Sequence, residues 1–308
     1  MLDHSIVSTA VFFERTTLQS NSVNYQDFAS SREAGEALLK GLPQENLRHV
    51  FLISDGLNVN GTALVEGAET VVNETVTITG GLAGDEDKFE QTLVNLFKGN
   101  HLVGGNIIAI GLYGESLKVG FGSYGGWEPF GPERTISKSE ANVLFELDNR
   151  PALDLYKEYL GEKSEELPAS ALLFPLSLVS TKPKEQGLVR TILSIDEAAK
   201  SMTFAGDVPQ GTRVRLMKTN FNHLVDGAEN AARFSRTFDP QLAVLVSCVG
   251  RKLVMGPHIE DEVEVVSEIM GENCAITGFY SYGELAPGQS NKKCHLHNQT
   301  MTITTFAE

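Results

Sequence analysis

The chain has 308 residues, enough for two domains or one large one with a well-buried core, and its hydrophobic fraction of 41% excludes a disordered chain. A formal net charge of -15 excludes sequence-independent nucleic-acid binding, which needs clustered Lys and Arg, and also a role on an anionic membrane surface. Three cysteines make no disulfide framework, Met1-Leu2-Asp3-His4 lacks the basic start of a signal peptide, and no stretch nears the roughly 18 apolar residues of a membrane span, so a cytoplasmic protein with reduced thiols and no membrane insertion is expected.

In chain order, SIVSTAVFFE from Ser5 reads as a first strand, and Ser30-Ser31-Arg32-Glu33 is a capping box that starts a helix before Ala34, Ala37 and Leu38. HVFLIS, His49 to Ser54, is a short apolar run expected as a buried strand. The polar turn DGLNVNG then leads into Thr62 to Val72, where Leu64, Val65, Ala68, Val71 and Val72 share one helical face. TVTITGG follows as a β-branched strand ending at Gly80 and Gly81, and NIIAIGL, Asn106 to Leu112, is another strand.

The middle of the chain is less regular. GGWEPFGPERT, Gly125 to Thr135, reads as a Gly/Pro-rich turn region, and Ala152 to Leu160 carries Leu153, Tyr156 and Leu160 at helical spacing. After GEKSEELP, strand character resumes in ALLFPL and RTILSI, with Pro175 implying an edge or a break.

The order of the first part then recurs. LAVLVS, Leu242 to Ser247, is a strand, CVGRKLVMG a turn, and Asp261 to Met270 a helix with Val263, Val266 and Ile269 in register. NCAITG is the next strand, and Gln299 to Phe306 closes as its partner. TITGG and AITGF fall at matching places, which points to a duplication. The expected fold class is therefore α/β (α+β): two pseudo-repeated mixed β-sheet halves layered with helices, residues 1–150 and 151–308.

Each candidate for chemistry competes with a plainer reading. Gly120-Phe121-Gly122-Ser123-Tyr124-Gly125 spells GxGxxG, but Pro129 and Pro132 prevent the helix that a dinucleotide site needs directly afterwards, so these glycines are read as a turn. Gly80 to Asp85 ends a strand, where open α/β sheets place ligands, though a tight turn explains the glycines equally well. Cys248 has Arg251 nearby to lower its pKa, but no Cys-His-Asn spacing accompanies it, and a buried inert thiol is the simpler reading. His295 and His297, two apart on a strand, project to one side, while Cys294 and Leu296 project to the other. Zinc needs four ligands, and no Cys-x-x-Cys or second close His pair supplies them. His297 is also chemically able to serve as a single haem ligand, or to take a hydrogen bond in a polar pocket wall.

TGFYSYGELAP (Thr277 to Pro287), LHNQTMTITT (Leu296 to Thr305) and SCVGR resemble the C-terminal signature of FIST domains, and SDGLNVNGTALVEG with ITGGLAGD resembles their N-terminal half. GWEPFGP and LDNRPALDLYKEYLG resemble the junction between the two. The resemblance implies a sensory domain for intracellular signalling, non-enzymatic, of a kind found in bacterial receptors, in stand-alone proteins and in eukaryotic F-box proteins. It implies a small-molecule ligand, amino acids among those proposed, and a signalling partner such as a histidine kinase; some stand-alone members resemble haem-based nitric-oxide sensors. A non-catalytic interaction scaffold is the remaining alternative. The pocket implied by the resemblance consists of Gly80, Gly81, Asp85, Arg251, Tyr282, Glu284, His297 and Asn298, with Arg251 pairing a ligand carboxylate or else Glu284, and His297 holding haem if haem binds. Relative to the family pattern the chain is expected to lack N-terminal elements, leaving a bare sheet edge.

Overall fold

The structure is a computed structural model, and it describes residues 6–95, 104–180, 187–288 and 292–308. Residues 6–16 run without a strand partner, and Ser5 lies outside the described residues. The first strand is instead β1 (Thr17–Asn24), followed by α1 (Ser31–Lys40), β2 (Leu47–Ser54), α2 (Gly61–Glu69), β3 (Thr77–Ala83), β4 (Asn106–Tyr113) and β5 (Lys118–Tyr124). α1 starts as its sequence predicts, with Ser30 Oγ accepting from Glu33 N–H and the Glu33 carboxylate accepting from Ala29 N–H. Then come β6 (Glu128–Glu140), β7 (Val143–Leu147), β8 (Arg150–Pro151), α3 (Ala152–Leu160), β9 (Leu176–Leu178), β10 (Leu188–Arg190), β11 (Ile192–Asp196), β12 (Ser201–Phe204) and β13 (Arg213–Lys218). The chain closes with α4 (Phe221–Ser235), β14 (Leu242–Cys248), α5 (Val249–Met255), α6 (Glu260–Met270), β15 (Ala275–Pro287), β16 (Cys294–His297) and β17 (Met301–Ala307). No helix among the described residues is long and apolar enough to cross a membrane.

The expected α/β class holds, with two sheets layered with helices. The repeat is arranged differently from two separate sheets. One sheet runs β1-β4-β2-β3-β15-β14-β17-β5, a palindrome in which β2 and β3 are parallel, β14 and β15 are parallel, and β3 meets β15 antiparallel at the centre. The second repeat thus begins at β5, inside the first 150 residues, and β6 to β13 form a second sheet inserted between β5 and α4.

Four amphipathic helices cover the first sheet. Leu38, Leu39 and Leu64 pack on Val50 and Leu52 in one repeat, and Ala228, Ala231, Val266 and Met270 pack on Ala243 and Leu245 in the other. The sheet curls strongly. Thr304 Oγ1 donates to Thr79 Oγ1 at 2.7 Å although β14 and β15 lie between their strands, a gap of about 14 Å in a flat sheet. His49 stands edge-on to Phe306 at 5.4 Å inside the same curl. The inserted sheet has its own core of Ile136, Leu144, Leu153, Tyr156 and Phe204.

Three local readings are corrected. CVGRKLVMG holds the helix α5 rather than a turn, because Gly250 and Gly256 bracket a stretch short enough to look irregular. GGWEPFGPERT enters the strand β6; the β6–β13 register shifts between Arg215 and Leu216, so Gly131 and Pro132 bulge out of the ladder. Gly120 and Gly122 lie within β5, where α4 passes so closely that an added Cβ would stand 2.0 Å from Ser235 O and 2.3 Å from Ala231 O. Pro175 does mark a break, just before the short β9.

Candidate functional site

The predicted site residues fall into four environments. Gly80 and Gly81 are inside β3, opposite Leu285 and Glu284 of β15. Gly80 has φ +147°, and a Cβ there would meet Leu52 O at 1.8 Å, so its use is close strand packing. Asp85 and Tyr282 form a pair of their own: the Tyr282 hydroxyl donates to the Asp85 carboxylate and lies 2.9 Å from Glu86 O, while its ring stacks on Phe89 at 4.6 Å. The second Asp85 oxygen accepts from Glu90 and Gln91 N–H, both at 2.8 Å.

Arg251 is fully buried and bound to Glu262, not to Glu284. Its Nε and Nη2 reach Glu262 Oε2 at 3.1 and 2.9 Å, Nη1 donates to Gly125 O at 2.7 Å, and Nη2 to Leu224 O at 2.8 Å. Glu262 also accepts from Ser247 Oγ at 3.0 Å and the Tyr280 hydroxyl at 2.8 Å. This network ties α4, α5, α6, β14 and β15 together.

Glu284, Asn298 and His297 cluster around the turn between β16 and β17. Glu284 is buried and accepts from Ser281 Oγ (2.6 Å), Thr300 Oγ1 (2.9 Å) and Thr300 N–H (3.2 Å). Burial pushes its carboxyl up to about 8, so it is largely protonated at neutral pH. His297 sits opposite Glu284 in the β15–β16 ladder, and its Nε2 lies 3.2 Å from Ala286 O. Burial, with a smaller contribution from His295, pulls its pKa down to about 3, so the imidazole is neutral. Asn298 is completely buried, as is Gln299 beside it.

A cleft of about 1450 Å³ opens between the two sheets, larger than the roughly 300–1,000 Å³ typical of small-molecule sites. One wall is β5 with one side of α4 along its length, including Phe121, Trp127, His223 and Phe234; the other is β9, β10 and β13, including Ser177, Val189 and Arg215. β16 and Thr300 contribute to the lining: His295 and His297 face the cleft, while Cys294 and Leu296 point away into the core. Of the predicted site residues, His297 alone lines this cleft. Thr300 connects the cleft to Glu284, and Thr302 Oγ1 donates to Ser123 Oγ on β5 at 2.8 Å. Arg190, buried, anchors the inserted sheet against β16 by donating to Leu296 O at 3.0 Å and Asp207 O at 3.0 Å. Asp207 Oδ1 in turn accepts from Asn60, the residue that caps α2, at 2.9 Å.

Trp127, Gln299, Thr300 and Arg215 are the residues that sequence reasoning missed. Thr300 stood inside the quoted LHNQTMTITT stretch and Trp127 inside GWEPFGP, but nothing in the sequence joins those two segments. Among the described residues no group of three or more His, Cys, Asp or Glu is placed to hold a metal ion. Cys248, Cys274 and Cys294 are free and buried, and burial raises the Cys248 thiol well above its usual range, helped by the nearby Glu284.

The architecture is that of a two-sheet protein with a cleft between its sheets. The FIST N domain matches residues 1–150 and the FIST C domain residues 152–287, and the chain belongs to the FIST family, whose domains are associated with sensing in signal transduction. The boundary between the two matches falls inside the inserted sheet, between β8 and α3. An uncharacterized protein from Methanocaldococcus jannaschii is 24% identical over 240 residues, 68% of this chain and 45% of the relative, so the chain spans about half the length of the curated relative it matches. A solved cyanuric acid hydrolase from A. caulinodans aligns with 95% of this chain and 99% of its own at 8% identity, with a TM-score of 0.20 that supports no argument about fold or function.

Proposed function

We propose that this chain is a non-enzymatic sensory protein that binds a small molecule in the cleft between its sheets and reports occupancy to a signalling partner, a histidine kinase being the kind of partner in view. The observation that carries this reading is the cleft itself, whose lining includes His297 and Thr300, the latter bonded to the buried Glu284. A ligand there touches both sheets at once, and the Arg190 contacts to Leu296 O and Asp207 O connect β16 with the inserted sheet. Occupancy therefore has a route to change how the sheets sit together. The raised Cys248 thiol argues for binding rather than nucleophilic chemistry, and three free thiols suit a reducing cytoplasm.

Haem is the second reading. A neutral imidazole on a partly apolar cleft wall is what axial ligation requires, and burial keeps His297 neutral. An absorption spectrum before and after haem addition, with His297→Ala alongside, separates the two. A Soret band that His297→Ala abolishes selects haem. Absence of a specific band, together with a rise in melting temperature on adding free amino acids that Thr300→Val reduces, selects the small organic ligand. If neither haem nor any small molecule alters spectrum or melting, the sensor reading fails and the scaffold reading replaces it.

A further inference from the structure

The first sheet ends in two edge strands, β1 and β5. A free edge carries a row of backbone N–H and C=O groups turned away from its one neighbour, and these can pair with another strand. The other edges of the two sheets are guarded against that. β5 begins with Lys118 and faces the wall of the cleft that the inserted sheet supplies. In the inserted sheet, β10 is three residues long, and β11 has a register shift between Ile192 and Ser194 and ends in Asp196. Short strands, bulges and charges are the usual means of blunting an edge.

β1 has none of these. It is eight residues long, and its register with β4 runs unbroken from Thr17 opposite Tyr113 to Asn24 opposite Asn106. No proline and no charge interrupts TLQSNSVN, and the uncharged stretch extends from Thr16 to Gln26. No residue of β1 is buried, and among the described residues β4 is its one strand neighbour. The chain that runs into it adds apolar surface, with Phe12 89% and Leu18 48% exposed. In a chain of net charge -15, a neutral edge is where a second, equally acidic molecule can approach without repulsion. The strand also suits a copy of itself. Antiparallel pairing about a two-fold axis at Asn21 sets Ser20 opposite Ser22 of the partner subunit, and cross-strand hydroxyl pairs of this kind stabilise a sheet.

We propose that β1 is a self-association surface, along which two copies of this chain pair antiparallel and join their first sheets into one. A single strand pair is a small contact, of the size class that forms transient complexes, so association is expected only at about 10 µM and above. β5 lines the cleft and β1 does not, so the pairing uses no cleft residue and is independent of what the cleft binds.

The test is sedimentation velocity of the full chain from about 1 to about 200 µM, with Ser20→Lys and Ser22→Glu run alone and as an equimolar mixture. Both serines are exposed, so the variants should melt as the wild type does. The wild type is expected to be monomeric at the low end and dimeric at the high end. Either substitution alone sets two like charges about 7–8 Å apart across the axis, and should weaken association about fivefold or more. In the mixture the introduced charges are opposite in sign and face each other directly, so association should recover. A wild type that stays monomeric throughout overturns the proposal. So does a dimer that neither substitution weakens, which places the contact elsewhere on the chain. Variants that weaken association alone and fail to recover when mixed overturn the two-fold pairing of β1 with itself.

Discussion

The two repeats of the first sheet place the same backbone at two sites and finish them differently. Asp55 follows β2 as Cys248 ends β14: Asp55 N–H donates to Asn106 O at 3.0 Å, and Cys248 N–H donates to Thr300 O at 3.1 Å. The residue before each acceptor is left-handed, Gly105 at φ +82° and Gln299 at φ +59°. Each of those residues has its carbonyl held, Gly105 O by Tyr25 N–H at 2.9 Å and Gln299 O by the Trp127 indole at 2.9 Å. In the first repeat the corner is closed. The buried Asp55 carboxylate accepts from Leu57, Asn58 and Gly105 N–H at 2.9, 2.8 and 3.1 Å. In the second repeat a thiol replaces the carboxylate, a glutamine replaces the glycine, and the added side chain has no partner. The duplicated corner keeps its backbone bonds in both copies, but only the second carries a buried carboxamide without a hydrogen-bond partner.

The comparison requires that charges buried near the second corner be architecture, not site. Arg251→Met tests this with the largest effect. It leaves Glu262 buried beside Ser247 and Tyr280 without its cation, and breaking a buried pair from one side costs about 3–5 kcal/mol. Chemical denaturation should show that loss, whereas a change below about 1 kcal/mol, the size expected of an exposed pair, would return Arg251 to the list of ligand contacts.

A smaller effect is the pH dependence set by Glu284. Its folded-state carboxyl is raised to about 8 from 4.5, so the folded protein holds a proton that the unfolded chain releases. Stability from this group is fully present below the unfolded value and is lost as pH rises through the folded one, with a slope of up to about 1.4 kcal/mol per pH unit between. Glu284→Gln, which keeps an oxygen to accept from Thr300, should flatten that part of a stability-versus-pH curve. A curve equally steep in the variant would mean that some other group titrates there.

Much of the frame was legible. Apolar runs such as HVFLIS and LAVLVS announce strands, HVFLIS a buried one, and the Ser30 and Glu33 spacing announces a helix start. What could not be read was which segments meet. The second repeat is interrupted after β5 by some ninety residues of another sheet, so its first strand sits far from the rest of its unit, and the division near residue 150 follows the family boundary rather than the sheet. The site suffered for the same reason. Glycines that end an apparent strand look like a ligand loop, but Gly80 is where Leu52 O comes closest, a contact made between strands and not encoded locally. Arg251 could be seen to need a carboxylate; only α6 folding back on α5 decides that Glu262 supplies it. Gln299 gave no signal, since its strangeness is a backbone angle and a missing partner.

The smallest expected effect bears most directly on the two corners, and comes from exchanging their left-handed residues. Gly105→Ala places a Cβ 2.7 Å from the Tyr25 ring at φ +82°, and should destabilise by about 1–3 kcal/mol. Gln299→Gly does the reverse: it relieves a left-handed strain of roughly 1–2 kcal/mol and removes an unpaired buried amide, against the cavity left where the side chain lay. The net should be a protein that melts at or slightly above the wild type. If Gln299→Gly instead melts well below it, the glutamine is a structural plug, and the second corner is closed by packing as firmly as the first is by hydrogen bonds. If it melts higher, the left-handed backbone and the unpaired amide of Gln299 are a net cost to the fold, and the second corner is held by its backbone bonds alone.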